Sequence, residues 1–386
     1  MKVMIVVTHL LGTGHLARAL TLARAFAAAG HAPCLVSGGM PAPQLSPGAI
    51  DLRQLPPLRS NGTDFTRLLD SGDAPAGPAL MAARQAALLA HLDGFRPDVL
   101  MTELFPFGRR VLAAEFLALL SAAEALPRRP VVLASVRDIL APPSKPEKAA
   151  RAEAIITRHY DAVLVHSDPA TTPLDRSWPV SPALAARLRY TGYVAPPAPP
   201  PPPAADPGPP APGRGEILVA AGGGAVGDPI FAAALAAAAR RPDRRWRLLV
   251  GGTEAAARIA RLSAPGVPAN ARLEPARPDY RALLAGAEAS VSMCGYNTAL
   301  DLLQTGVPAV LVPFDAGSEL EQGLRAESLA RLPGFAVVKS ADLGPETLLR
   351  ALDRARAAGR REPAAQNLDG ARRSVAIAED LERARR

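Results

Sequence analysis

Residues 289–314 read ASVSMCGYNTALDLLQTGVPAVLVPF. An apolar run over 289–293 reaches Cys294 and Gly295, a helix start with polar residues follows, and a second apolar run occupies 308–314. Two strands joined through a helix must run parallel, because a parallel pair cannot be closed by a tight turn. This order predicts an α/β sheet with right-handed crossovers and helices on both faces.

Working outward, the same order recurs on both sides. Strands are expected at 216–221, 246–250 and 336–338 in the second half, and at 3–7, 32–37, 99–102, 131–135 and 162–166 in the first. Ala- and Leu-rich stretches at 16–29, 78–92 and 111–125 suit helices between them, and 371–385 is a charged amphipathic stretch that closes the chain. Between the halves, residues 195–213 read APPAPPPPPAADPGPPAPG, with 11 prolines in 19 positions and no large apolar side chain. That composition favours an extended polyproline spacer. The expected organisation is a Rossmann-like domain at 1–194, a linker at 195–213 and a second Rossmann-like domain at 214–386. Ligands of such sheets bind beyond the carboxyl ends of the strands, so the two doubly wound domains are expected to face each other across a cleft.

The strand ends carry the chemistry. The first strand runs into Gly12, Thr13, Gly14 and His15, where glycines permit close backbone approach and a helix start offers free N–H groups to an anion. The dinucleotide fingerprint is absent, since Ala17 stands where its third glycine would be. His15 is the candidate base, with Arg18 one turn on as a phosphate or carboxylate ligand. Glu103 and Asp138 close two further strands and are candidate acid/base partners. Phe105 and Phe107, beside Glu103, suit either a sugar face or the core. In the second half Gly222, Gly223 and Gly224 form a cradle suited to phosphate, and Gly295, Asn297 and Thr298 begin a helix able to grip a diphosphate. Asp301 is placed to accept ribose hydroxyls.

Composition narrows the classes. The 386 residues hold 44 Lys+Arg against 36 Asp+Glu, a formal charge of +8, but 40 of the cations are arginines scattered without a block, so nucleic acid is not the expected partner. Cys34 and Cys294 are too few for a disulfide scaffold and suit a reducing compartment. No apolar stretch is long enough for a bilayer span, and the first fifteen residues read as a strand and turn, without the small-residue site of a cleaved leader. A cytoplasmic protein is expected, with its mildly basic first half available for peripheral contact with anionic lipid at the inner face of the membrane. No metal-binding motif is visible.

Residues 294–332, CGYNTALDLLQTGVPAVLVPFDAGSELEQGLRAESLARL, resemble the donor-binding region of bacterial peptidoglycan N-acetylglucosaminyltransferase and its relatives in glycosyltransferase family 28. The resemblance implies the two-domain GT-B fold and a UDP-sugar held mostly by the second domain. Gly295 and Thr298 stand where the family has its glycine and threonine, Asp301 where it has a ribose-contacting glutamate, and Glu321 and Gln322 where a glutamine pair contacts the donor sugar. Arg325 replaces an asparagine. The segment LEPARPDYRALLAGA resembles the nucleobase loop, which implies that backbone groups near Ala276 and Arg277 meet the base. The amino-terminal Gly-x-Gly-His-x-x-Arg, through Gly12, Gly14, His15 and Arg18, is similar to the loop of the UDP-sugar hydrolase of pseudaminic acid synthesis, which uses the matching histidine.

Together these point first to a metal-independent glycosyltransferase moving a hexose or aminohexose from a UDP-sugar to an unidentified acceptor, lipid-linked or saccharide, of the kind that builds cell-envelope polysaccharide. No cofactor is expected beyond the UDP-sugar co-substrate. The helix starts at Gly222 and Gly295 would stabilise the departing diphosphate, and the polar insertion at 55–92 would wall the acceptor. Two rivals stay open: a nucleotide-sugar hydrolase with His15 as base, and a non-catalytic nucleotide-sugar sensor.

Overall fold

A computed structural model describes the chain apart from residues 11, 44, 62, 63, 199–211, 222–226, 253, 316–319 and 363–366. It divides into two compact units, Met1–Pro196 with Asp369–Arg386, and Pro197–Leu368.

The first unit is built on an eight-stranded sheet. Its strands are β1 (Lys2–Val7), β2 (Ala32–Gly39), β3 (Asp51–Asn61), β4 (Asp64–Leu69), β5 (Val99–Glu103), β6 (Val131–Arg137), β7 (Ala162–His166) and β8 (Leu188–Tyr190), in the order β4-β3-β2-β1-β5-β6-β7-β8. All neighbours are parallel except β3 and β4. The helices are α1 (Gly14–Ala28), α2 (Pro78–Phe95), α3 (Ala113–Glu124), α4 (Pro146–His159) and α5 (Pro182–Arg187). Alternation along β1 sorts the core into two layers. Met4 and Val6 face α2, α3 and α4 through Leu88, Phe116 and Ile156, whereas Val3, Ile5 and Val7 face α1 through Leu20 and Phe26. A buried ion pair, Arg84 Nη2 to Glu115 Oε1 at 2.9 Å, ties α2 to α3, and Arg84 Nη1 also donates to the Gly38 carbonyl at 2.9 Å.

Strands β3 (Asp51–Asn61) and β4 (Asp64–Leu69) overlap the stretch 55–92 expected as a polar insertion. Pro56 and Pro57 argue against a strand in the sequence. The ladder skips them: Gln54 pairs with Ser37 and Leu58 with Gly39, and the Gln54 side-chain amide donates to both carbonyls, at 3.0 and 2.8 Å. The rest of that stretch is α2.

The second unit holds β9 (Glu216–Ala220), β10 (Arg245–Val250), β11 (Ala271–Pro275), β12 (Ala289–Ser292), β13 (Ala309–Leu311) and β14 (Phe335–Val337) in one parallel sheet ordered β11-β10-β9-β12-β13-β14. Its helices are α6 (Asp228–Arg240), α7 (Ala255–Ser263), α8 (Tyr280–Gly286), α9 (Tyr296–Thr305), α10 (Glu321–Leu329) and α11 (Pro345–Ala357). Val219, Leu248 and Val291 bury one sheet face against Phe231 of α6 and Leu352 of α11. Gly306 ends α9 in the left-handed region at φ 67°. A Cβ there would come within 2.1 Å of the Arg361 carbonyl, so only glycine fits.

The last helix, α12 (Gly370–Arg383), was expected in the second domain at 214–386 but belongs to the first unit. Val375 and Ala378 complete the layer under α1, and Val194 bridges Asp369 where the chain returns. An amphipathic helix declares that it has a buried face but not which sheet it covers. Among the described residues no helix is long and apolar enough to cross a membrane.

Candidate functional site

In the first sheet the chain winds from β1 outward through β2 and β3, then restarts on the other side of β1 at β5. Side chains at the carboxyl ends of β1 and β5 therefore line the crevice where the strand order reverses, the usual ligand position in such sheets. Gly12 turns the chain at φ 63° and α1 begins at Gly14, so His15 lies in its first turn and Arg18 one turn later on the same side. Glu103 is the last residue of β5. Three residues singled out in the sequence thus meet: His15 Nδ1 lies 3.0 Å from Glu103 Oε1, and Arg18 donates to the same oxygen.

The side chains of Arg18 and Glu103 are only 3% and 1% exposed, that of His15 13%. Burial alone would push the Glu103 carboxyl up, but it is outweighed by the Arg18 guanidinium and by bonds from His15 and Ser135, which hold it below the usual carboxylate range. Glu103 is ionised and has no hydrogen to give. Nδ1 lies 3.0 Å from the ionised Glu103 oxygen and 3.2 Å from Arg18 Nη2; the carboxylate is the nearer and stronger partner and Arg18 is already spent on it, so the hydrogen sits on Nδ1 and His15 Nε2 keeps a bare lone pair. Burial, opposed by the Glu103 bond and reinforced by the charges of Arg109 and Arg18, pulls the His15 pKa down to about 3 and keeps the ring neutral. Arg18 is engaged with Glu103 and supports the carboxylate rather than standing ready for a phosphate.

Asp138 lies beyond β6 with Oδ1 accepting the Ile139 N–H at 2.8 Å, while the carboxylate that meets His15 is Glu103. Phe105 and Phe107 are core: the first stacks on Phe116 at 4.7 Å, the second meets Trp178 edge-on at 5.1 Å. Phe105 also lines a cavity of ≈ 620 Å³ with Leu10, Val111, Arg109, Arg110 and Lys148. Sequence reading missed this cavity. Its signal was the spacing of Lys145, Lys148 and Arg151, three apart along the start of α4. It also missed Ser135, whose hydroxyl donates to Glu103 Oε2 at 2.6 Å.

The second sheet reverses in the same way, with β9 and β12 as its central pair. Gly222, Gly223 and Gly224, at the end of β9, lie outside the described residues. Beyond β12, Gly295 precedes α9 with no side-chain cap, so the first-turn N–H groups, those of Asn297 and Thr298 among them, have no partner within the helix. Gln322 Oε1 accepts the Cys294 N–H at 3.1 Å and the Phe314 N–H at 3.2 Å, clasping the ends of β12 and β13. Beside it in α10, Glu321 opens the helix and is half-buried. Arg325, in place of an asparagine, is buried, donates to the Cys294 carbonyl at 2.9 Å and lies over the Tyr296 ring. Asp301 Oδ1 receives the Arg281 Nε–H at 2.8 Å, and burial pushes its pKa up to about 6 against the pull of Arg281. The Ala276 N–H is spent on the Val250 carbonyl at 2.9 Å, and Arg277 pairs with Asp279.

Comparison with known proteins bears on both halves. Residues 248–380 match the glycosyltransferase family 28 C-terminal domain. A UDP-N-acetylglucosamine–N-acetylmuramyl-(pentapeptide) pyrophosphoryl-undecaprenol N-acetylglucosamine transferase of Brucella anthropi is 37% identical over 120 residues, 30% of this chain and 31% of that protein. The corresponding protein of Brucella canis is 36% identical over 102 residues, 26% of each chain. The match thus spans under a third of these relatives. Whole-chain similarity is to solved structures: MurG of Acinetobacter baumannii has a TM-score of 0.61 at 17% identity, covering 98% of this chain and 99% of that one. The spinosyn rhamnosyltransferase SpnG, complexed with thymidine diphosphate, has a TM-score of 0.59 at 17% identity, covering 99% and 100%. The chain has the GT-B fold of these glycosyltransferases, and its residues 248–380 are similar to the C-terminal domain of glycosyltransferase family 28.

Proposed function

We propose that this protein is a glycosyltransferase that moves a hexosyl or aminohexosyl group from a UDP-sugar to an acceptor hydroxyl, with His15 as general base. The observation that carries the reading is the His15 Nδ1 to Glu103 Oε1 bond of 3.0 Å at the point where the first sheet reverses. It leaves Nε2 able to take a proton from a hydroxyl, while Glu103 stabilises the imidazolium that forms. The oxygen freed of that proton attacks the anomeric carbon, the bond from that carbon to the diphosphate breaks, and UDP leaves. The family 28 domain and the uncapped start of α9 support a diphosphate-bearing donor, since partial positive charge there would meet the leaving group.

The cavity of ≈ 620 Å³ beside Arg109 is the acceptor's place in this reading, because Arg109 both lines it and acts on the His15 charge. Its lining, apolar residues together with cations that outnumber Glu147, suits an acceptor with an apolar body, and the same surface suits peripheral contact with anionic lipid on the cytoplasmic side. The test is thermal stability and nucleotide release across UDP-, dTDP-, GDP- and ADP-sugars without acceptor. Stabilisation by a UDP-sugar with little release is expected. Fast release of free sugar, abolished in His15→Ala, would make water the acceptor and the protein a hydrolase. Stabilisation by no nucleotide sugar would overturn the reading.

A further inference from the structure

Glu103 rests on a second tier of buried polar groups that the proposed chemistry does not touch. In the register of β5 and β6, Glu103 is the direct neighbour of Ser135, and Ser135 Oγ lies 2.6 Å from Glu103 Oε2. On the far side Ser135 Oγ lies 2.9 Å from Nε2 of His166, the last residue of β7, whose Nδ1 lies 2.9 Å from Thr191 Oγ1. Ser135, His166 and Thr191 are all fully buried. Water therefore cannot supply missing partners, and the hydrogens must be shared among the groups themselves.

Counting hydrogens leaves two arrangements. Thr191 has one hydrogen and three acceptors within reach, the Gly192 carbonyl at 2.7 Å, His166 Nδ1 at 2.9 Å and the Val165 carbonyl at 3.4 Å. If Thr191 donates to Nδ1, neutral His166 carries its hydrogen on Nε2 and gives it to Ser135, whose own hydrogen is then directed to Glu103. If Thr191 donates to Gly192, His166 must donate from Nδ1, its bare Nε2 draws the Ser135 hydrogen, and Glu103 Oε2 loses its donor. The shorter contact of Thr191, to Gly192, favours the second arrangement, but an ionised carboxylate is a stronger acceptor than a carbonyl, and the shortest contact of the path, Ser135 to Glu103 at 2.6 Å, decides for the first.

We propose that His166 and Ser135 are positioning residues: the His166 tautomer, set by Thr191, points the Ser135 hydroxyl at Glu103 and so fixes the carboxylate that holds His15 in its Nδ1–H form. The hydrogens then run one way, from Thr191 to His166 to Ser135 to Glu103, and His15 donates to the same carboxylate from the opposite side. No proton leaves the chain. Arg18, on α1, and Arg109, after β5, are the other charges acting on the dyad, and Arg18 acts on His166 as well. The inference builds on His15 as base, but the wiring can be read without turnover.

The test is two-bond ¹H–¹⁵N spectroscopy of the full chain labelled at histidine nitrogens, in wild type, Ser135→Ala, Ser135→Thr, His166→Gln and His166→Leu. In wild type we expect the His166 hydrogen on Nε2 and the His15 hydrogen on Nδ1. In Ser135→Ala and His166→Leu the Glu103 carboxylate stays ionised but loses the bond that fixes its orientation, so it can turn from His15 and the His15 ring should become a mixture of tautomers. Ser135→Thr, which keeps the hydroxyl, and His166→Gln, whose amide can still donate to Ser135, should restore it. Where a nucleotide sugar is turned over, the acid limb of the pH profile should rise by about one unit in Ser135→Ala, because one hydrogen bond to the charged carboxylate is lost. A wild-type His166 protonated on Nδ1, or a folded Ser135→Ala with an unchanged His15 signal, overturns the proposal. If Ser135→Ala and His166→Leu fail to fold, the wild-type tautomers and the two conservative variants decide alone. Absence of any nucleotide-sugar binding would sink the transferase reading and leave this wiring standing.

Discussion

The two sheets reverse direction at equivalent places, between β1 and β5 in one unit and between β9 and β12 in the other, yet they are furnished in opposite ways. The first crevice holds side chains: a histidine, a carboxylate and an arginine packed into one charged cluster. The second offers backbone: an uncapped helix start, with strand ends held together by one glutamine. Side chains can store and move a proton at a single atom, whereas a row of N–H groups presents a fixed partial charge suited to a phosphate. Similar topology thus carries two kinds of furnishing, and the difference is open to attack by substitution.

The largest effect should come from the first crevice. His15→Ala is expected to lower turnover by about 10²- to 10⁴-fold, the usual worth of a positioned base, while leaving the thermal stabilisation by a nucleotide sugar within a few tenths of its wild-type size. Steady-state kinetics beside thermal melts would check this. A His15→Ala variant that lost donor binding as well would break the contrast between the units.

Acid should tell the units apart next. His15 and His166 are each pulled down to about 3 chiefly by burial, so below the unfolded value of 6.5 the unfolded chain binds protons that the folded one refuses. Stability should therefore fall as pH falls from 6.5 toward 3, with a limiting slope of about 1.4 kcal/mol per pH unit for each ring. The lowered carboxyl of Glu103 acts in the same direction at the acid end. Urea denaturation of wild type and His166→Gln across pH 7 to 5 should show the variant with a shallower dependence. Equal slopes would mean that His166 is protonated in the fold.

Smaller effects are expected in the second crevice, and they should divide by whether backbone is disturbed. Gln322→Ala leaves the Cys294 and Phe314 N–H groups without their acceptor, costing about 1–3 kcal/mol and weakening donor binding with it, since these groups set the ends of β12 and β13. Thr298→Ala removes a side chain but no backbone donor, so its effect on donor affinity should be only a few-fold, about 1 kcal/mol. Donor titrations of both variants rank them. A larger loss in Thr298→Ala would show that the second unit also relies on side chains.

Much of this was legible in residues 289–314 and their echoes along the chain. Strand, glycine, helix and strand are local patterns, so the α/β class, the inner strands and the glycine turns followed from periodicity and backbone freedom. His15 and Glu103 were visible singly, as polar residues at strand ends. Their pairing was not, because 88 residues separate them and only the order of β1 and β5 in the sheet sets them side by side. Ser135 and His166 gave no signal, being ordinary strand residues until the register aligned Ser135 with Glu103. The strand through Pro56 and Pro57 was hidden because its skipped pairing exists only against β2, and α12 could find its sheet only by packing on α1. The sequence by itself determined the inner strands, the helices between them and which strand ends are polar, since those properties are carried by each segment's own residues. Tertiary structure alone decided which polar ends meet, which carboxylate is held ionised and which sheet the last helix covers, because these depend on contacts between segments far apart in the chain.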